Sequence, residues 1–427
     1  MRTLPLLAVT ASLLMAFQAQ AGCGAPGPGE QPAPNLSNAN QPFFIDTTHL
    51  NGATHPPTRD PHSPNYPVAQ DLADGVLPPV DRNGNFVLGP THDLPFEFTE
   101  AASVPHGRVT SFTLRSDQSI LFSPGIIRDD GARCPDGSPF APYALQHDPS
   151  SLQLHNSHPG PWSRQIDVYV PVQYRAGAAA PFLVFGDGGS DGVYPGRDLF
   201  AILDVLISQH RLPPLIAIGI GAGGQDAQGS ERGREYDTAS GTYADWVEQE
   251  VLPRVERQAS VKLTHDPDGR ATMGVSSSGA AAFSMAWFRP QLYHRVLAYS
   301  PTLTNQQWPH DPRLPGGAWQ FHDAWAGNPK ASGNEAGAAL VPNAPRKPIR
   351  FWFEAGDQDL FYPGGLMPDG MHDWVLASED MARVFAAKGY DYQFVFSRNA
   401  GHVDGPTIEQ TLPEALVWTW QGYKNQP

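Results

Sequence analysis

Hydrophobic and polar positions along the chain form short runs of two kinds. Arg108–Arg115 alternates polar and apolar, with β-branched residues, and predicts a first strand with one wet face. Arg164–Val170 predicts a second. Pro181–Phe185 and Pro214–Ile220 are apolar almost throughout, as strands covered on both faces must be. Ala271–Val275, Arg295–Tyr299, Ile349–Phe353 and Tyr392–Phe396 supply four more such runs. Between them the period lengthens. Trp246, Val247, Val251, Leu252 and Val255 fall on one helical face within Thr242–Gln258, and Trp374–Ala387 and Leu412–Tyr423 predict two further helices. Strands alternating with helices from Arg164 onward predict an α/β fold, with a mostly parallel central sheet flanked by helices.

The ends and insertions look different. Arg2, the apolar stretch Leu4–Phe17 and Ala19-Gln20-Ala21 predict a secretory signal over 1–21, cleaved before Gly22. This predicts a secreted or periplasmic protein. A lipid anchor through Cys23 is the alternative, against which Gln20 counts as a poor lipobox residue. Residues 22–103 form a Pro/Gly/Asn-rich extension in which Phe43–Ile45 and Asn85–Pro90 are apolar enough to lie on a folded body. The main domain spans 104–427. Within it, 302–348 is too long for a simple connection and reads as a cap insertion carrying Trp308, Trp319, Phe321 and Trp325.

Composition narrows the function classes. The net charge of -15 repels phosphate backbones, so nucleic acid is not an expected partner. No membrane span is predicted. Cys23 and Cys134 are either one disulfide or two unpaired thiols. No metal is expected. His49, His55, His62 and His92 match no ligand spacing, and Asp129-Asp130-Gly131 and Asp136-Gly137 lack a calcium-loop frame and read as turns.

The chemistry centres on Met273–Phe283, where an apolar strand turns through small residues into an alanine-rich helix. Gly274-Val275-Ser276-Ser277-Ser278 gives the G-x-S-x-G pattern of a nucleophile elbow, except that Ser278 replaces the last glycine. Ser276 is the candidate nucleophile, and a serine hydroxyl needs a neighbouring base. His402 lies after the last predicted strand, where that base belongs. Asp359, in Glu354–Leu360, is the candidate acid, with Asp357 and Glu354 as nearby rivals. The backbone N–H of Ser277 and that of Gly188 or Gly189 are candidate oxyanion donors.

With these pieces in chain order Ser…Asp…His, the sequence resembles the putative-esterase branch of the α/β-hydrolases. Exported enterochelin-esterase-like and esterase D-like proteins are the nearest in kind. The resemblance rests on Val168–Pro171, Phe185–Gly188, Arg232–Asp237, Gly274–Gly279, Gly356–Asp359, Gly389–Tyr392 and Gly401-His402, and covers roughly 104–427. It implies an exported serine esterase that cleaves a carboxylic ester through an acyl-enzyme, without metal or cofactor. The implied roles are Ser276 as nucleophile, His402 as base and Asp359 as acid. Arg232 and Glu235 match the family's R-x-x-E element, and either hold a polar substrate group or pair with each other at i, i+3. Trp308 and Trp319 either contact substrate or pack the cap. The expected partner is a small-molecule, glycan or siderophore ester. An acyltransferase on the same fold and a catalytically silent binding protein are the other readings.

Overall fold

The computed structural model describes residues 67–128, 157–188, 196–224, 229–309, 311, 313–325, 337–360 and 371–423. The expected signal segment, both cysteines, three of the N-terminal histidines, the Asp129–Gly137 loop and Gly189 lie outside the described residues.

Ten strands make one sheet. In chain order they are β1 (Ala69–Asp71), β2 (Gly84–Leu88), β3 (Arg108–Arg115), β4 (Ser163–Val170), β5 (Phe182–Gly186), β6 (Ile216–Ile220), β7 (Arg270–Val275), β8 (Arg295–Tyr299), β9 (Arg350–Gln358) and β10 (Asp391–Gly401). They lie side by side as β1-β2-β10-β9-β8-β7-β5-β6-β4-β3. Only β4 runs against the others, being antiparallel to both β3 and β6. The expected mostly parallel sheet flanked by helices is therefore present.

The wholly apolar runs became interior strands for the reason their composition gave. Successive side chains point to opposite faces, so each strand feeds two cores. Val184, Val296 and Ala298 enter one core, while Leu183, Phe185, Leu297 and Tyr299 enter the other. Helices α1 (Gly196–Ser208) and α5 (Gly405–Thr419) cover the second face through Leu199, Leu203, Ile408 and Leu412. Helices α3 (Ser276–Phe288) and α4 (Trp374–Lys388) cover the first, with the helical run Thr242–Trp246, Val247–Val251 and Leu252–Ala259. The middle piece of that run is a π turn, a detail invisible in the apolar spacing.

Two outcomes differ from the sequence reading. Helix α5 begins at Gly405, well before the expected Leu412, because Asp404 accepts the Thr407 N–H at 3.0 Å as an N-cap and Pro406 suits the first turn. Asn85–Leu88, read as an apolar patch lying on the body, is instead part of β2, paired in parallel with β10. Its Val87 and Leu88 enter opposite cores, so this stretch is covered on both faces. Among the described residues no helix is long and apolar enough to cross a membrane.

One buried acid makes stability pH-dependent. Glu379 on α4 is 1% exposed, and neither carboxylate oxygen has a hydrogen-bond partner among the described residues. Burial, and then Asp380, push its pKa from 4.5 up to about 8. Between these values the unfolded chain has released a proton that the folded chain keeps. The contribution of Glu379 to stability is thus fully present below pH 4.5 and is lost as pH rises toward about 8. The slope is about 1.4 kcal/mol per pH unit. Denaturant titrations of Glu379→Gln should show a shallower loss across this window than the parent chain, and parallel curves would refute the assignment.

Candidate active site

The site lies at the carboxyl ends of the parallel strands, where backbone strain is also concentrated. Of the seven non-glycine residues with positive φ among the described residues, Asp187, Ser276, Ser300, Asn399 and Val403 stand at or just beyond the carboxyl ends of β5, β7, β8 and β10. His210 and Ser260 instead follow helices.

Ser276 follows β7 directly, at φ 53°, and opens α3. Gly274 allows the turn to be this tight. A Cβ there would lie 2.2 Å from both the backbone carbon and oxygen of Ser278. Ser278, where a glycine was expected, has a local use: its Oγ accepts the Val275 N–H at 2.9 Å and donates to the Val275 carbonyl at 2.8 Å. Room for it comes from β5, since a Cβ on Gly186 would meet the Ser278 Cβ at 2.7 Å. The elbow is thus crowded at one position and relieved at another.

The structure brings together three residues distant in sequence. His402 Nε2 lies 2.9 Å from Ser276 Oγ, and His402 Nδ1 lies 2.6 Å from Asp359 Oδ1. A carboxylate accepts, so Nδ1 carries hydrogen and Nε2 is left as the acceptor facing the serine hydroxyl. Asp359 is 3% exposed and its Oδ1 also takes the Leu360 N–H at 2.6 Å, which fixes the carboxylate. The rival Asp357 turns aside and accepts the Ala400 N–H at 3.2 Å. The other rival, Glu354, is fully buried, and burial followed by the nearby Asp359 raises its pKa well above the usual carboxylate range.

Two neighbours were not legible in the sequence. Thr302 Oγ1 lies 3.4 Å from Ser276 Oγ and accepts the Trp374 indole N–H at 3.2 Å. Its backbone N–H donates to the Ser276 carbonyl at 2.9 Å. The Trp374 ring meets the His402 imidazole edge to face at 5.6 Å. Neither residue sits in a recognisable motif; each is found only by what the sheet places beside it.

Several candidate contacts need correction. The Gly188 N–H is committed to the Ile220 carbonyl at 3.0 Å, so it does not serve as the second oxyanion donor. The Ser277 N–H stands at the first turn of α3, the position such a donor requires. Arg232 and Glu235, on helix α2 (Glu231–Tyr236), do not pair with each other. Arg232 grips Asp187 with two hydrogen bonds, Nε at 2.9 Å and Nη2 at 2.7 Å. Glu235 pairs with the fully buried Arg164 of β4. Trp308 and Trp319 are 2% and 7% exposed, and Trp319 belongs to the core with Phe321 and Trp325. The described part of the 302–348 segment packs inward, Phe321 lying 6.5 Å from Phe283 of α3. Both tryptophans are therefore buried in the packing of this segment.

Residues 157–344 match the model of a family described as Putative esterase. That segment holds the elbow, and Asp359 and His402 lie beyond it. The resemblance read from the sequence is thus met by the family match. No curated protein matches the sequence significantly. Among solved structures, an enterobactin esterase from Shigella flexneri is 17% identical, with a TM-score of 0.42, over 61% of this chain and 56% of that one. A ferulic acid esterase from Anaeromyces mucronatus is 13% identical, with a TM-score of 0.47, over 77% of this chain and 97% of that one. The chain therefore spans little more than half the length of the enterobactin esterase.

The pairing of Gly186 with Ser278 can be measured. Gly186→Ala should destabilise the protein by about 1–3 kcal/mol through overpacking. In a Ser278→Gly background most of that cost should disappear, leaving the milder contact to the Tyr236 hydroxyl, 3.2 Å from the added Cβ. Additive costs in the double-mutant cycle would show that the two positions do not share one space.

Proposed function

We propose that the protein is an exported serine esterase that hydrolyses a carboxylic ester, with Ser276 as nucleophile, His402 as base and Asp359 as acid. The observation that carries this reading is the hydrogen-bonded row from Ser276 Oγ through His402 to Asp359, standing on a strand–turn–helix elbow. The family match over 157–344 supports ester hydrolysis as the reaction class, and the apolar leader Leu4–Phe17 supports export.

In this mechanism His402 Nε2 takes the Ser276 hydroxyl proton as Oγ bonds to the ester carbonyl carbon. The carbonyl π pair moves onto oxygen, where the Ser277 N–H meets it. Asp359 holds the imidazolium in place. Collapse of the tetrahedral adduct breaks the bond to the alcohol oxygen, which leaves with the proton from His402. Water then repeats both steps on the acyl-enzyme, releasing the carboxylic acid and restoring Ser276. Thr302 Oγ1, held by the Trp374 indole N–H, lies 3.4 Å from the Ser276 hydroxyl and limits its rotamers.

Ser276→Ala should lower turnover of a short p-nitrophenyl ester by at least about 10³-fold, with unchanged circular dichroism and loss of fluorophosphonate labelling. Retained turnover would end the proposal. Asp359→Asn should cost about 10³–10⁴-fold through loss of the correct imidazole tautomer, while Asp357→Asn should stay within about tenfold of the parent. A reversed ranking would move the acid to Asp357. A panel of feruloyl, acetyl-sugar and siderophore esters then identifies the acyl group.

A further inference from the structure

The opposite end of the sheet carries a second polar cavity that the proposed hydrolysis does not use. It has a volume of about 530 Å³ and is lined in part by Asp268, Arg295, Arg346, Lys347, Arg350 and Asp391. Arg295 and Arg350 are the first residues of β8 and β9. Asp359 stands just past the other end of β9, about 30 Å away by strand length, so the two sites lie at opposite ends of the sheet.

The charges in this cavity do not cancel. Four cationic side chains face two carboxylates in a chain whose net charge is -15. Both carboxylates are engaged: Asp391 holds Arg346 at 2.9 Å, and Asp268 holds His294 Nδ1 at 2.7 Å. Arg295 and Arg350 hydrogen-bond to backbone carbonyls instead. Arg295 donates to Asp268, Thr419 and Gln421, and Arg350 donates to Gln421 at 3.0 Å. Arg350 Nε is buried with no hydrogen-bond partner among the described residues.

A purely structural role accounts for only part of this. Thr419 and Gln421 lie at the C-terminal end of α5, where cations complement the helix dipole. That dipole is equivalent to roughly half a negative charge, whereas two guanidinium groups bring two positive ones. Stacking of Arg350 on Trp418 at 4.1 Å and of Arg295 on Trp420 at 5.5 Å fixes the guanidinium planes without neutralising them. Burial, and then the proximity of Arg350, lower the Arg295 pKa to about 10, a direction that an added anion would reverse. Lys347 adds a further cation, its Nζ donating to the Trp287 carbonyl.

We propose that this cavity binds a small molecule bearing an oxyanion, a phosphate or carboxylate group, held between Arg295 and Arg350 with Arg346 and Lys347 at its edge. Guanidinium forks match such groups with paired hydrogen bonds.

Calorimetric titration of the full chain with inorganic phosphate, and separately with citrate, tests this against sodium chloride at matched ionic strength. Saturable binding of either anion beyond chloride is expected, and the stronger of the two identifies the phosphate or carboxylate class. Arg350→Gln should weaken binding about tenfold, the worth of one charge-assisted contact. Arg346→Gln, at an exposed position, should weaken it severalfold while leaving ester turnover unchanged. If Arg350→Gln fails to fold, Arg346→Gln carries the test. No saturable binding of either anion, or affinities unaffected by the variants that fold, would overturn the proposal.

Discussion

The constraint on which the site depends is the backbone conformation at Ser276. A non-glycine residue at φ 53° costs on the order of 1–3 kcal/mol, and that strain persists only where its surroundings fix it. Here the fixing is specific. The Ser278 hydroxyl closes on both polar groups of Val275, the Thr302 N–H holds the Ser276 carbonyl, and β7 is paired on both sides, with β5 and β8. With the turn held, the hydroxyl projects beyond the sheet toward an imidazole delivered 126 positions later. A relaxed turn at the same point would carry the side chain back toward the helix and leave His402 without its neighbour.

Parallel pairing performs the assembly. Because neighbouring strands run the same way, the loops after β7, β8, β9 and β10 all emerge on one side. Ser276, Thr302, Asp359 and His402 then need only short excursions from strand ends to meet. The antiparallel β4 brings its first residues, not its last, to that side, since its Ile166 pairs with Ile220 at the carboxyl end of β6. Arg164 lies there, and its pairing with Glu235 anchors α2 at the same end of the sheet.

Much of this was legible because the relevant signals are local. Apolar runs covered on both faces can only be interior strands, and β3 and β8 fall within the bounds read from alternation and apolarity. The elbow and its serine were legible because a sharp strand-to-helix turn demands small residues in a fixed order. The identity of the third member was less so: Asp357 and Asp359 are two positions apart, and only the register between β9 and β10 shows which one faces the imidazole. Thr302 and Trp374 carried no signal, since their importance arises from contacts across strands. Strand β2 was missed because a three-residue apolar core flanked by glycines looks like a surface patch until its partner β10 is known. The Gly188 donor was misassigned for a related reason. Glycines mark where a chain can approach a ligand, but whether the N–H is spent on a neighbouring strand depends on pairing that the glycines do not encode.

Arg232 and Glu235 show why spacing alone misleads about charge. An i, i+3 pair on a helix surface is worth about 0.2–0.5 kcal/mol. A buried charge left without its partner costs about 3–5 kcal/mol. Arg164 is fully buried between the rings of Trp162 and Trp246, at 3.9 Å and 4.7 Å, so Glu235 is drawn to it. Asp187 is held in a left-handed turn beside Arg232 and is 6% exposed, so the guanidinium is drawn there. Each residue meets the larger demand, and the smaller helical attraction between them is forgone. The result joins α2 to β4 on one side and to the turn after β5 on the other. Because that turn directly follows Gly186, the same two ion pairs help to keep the wall against which Ser278 packs in its place.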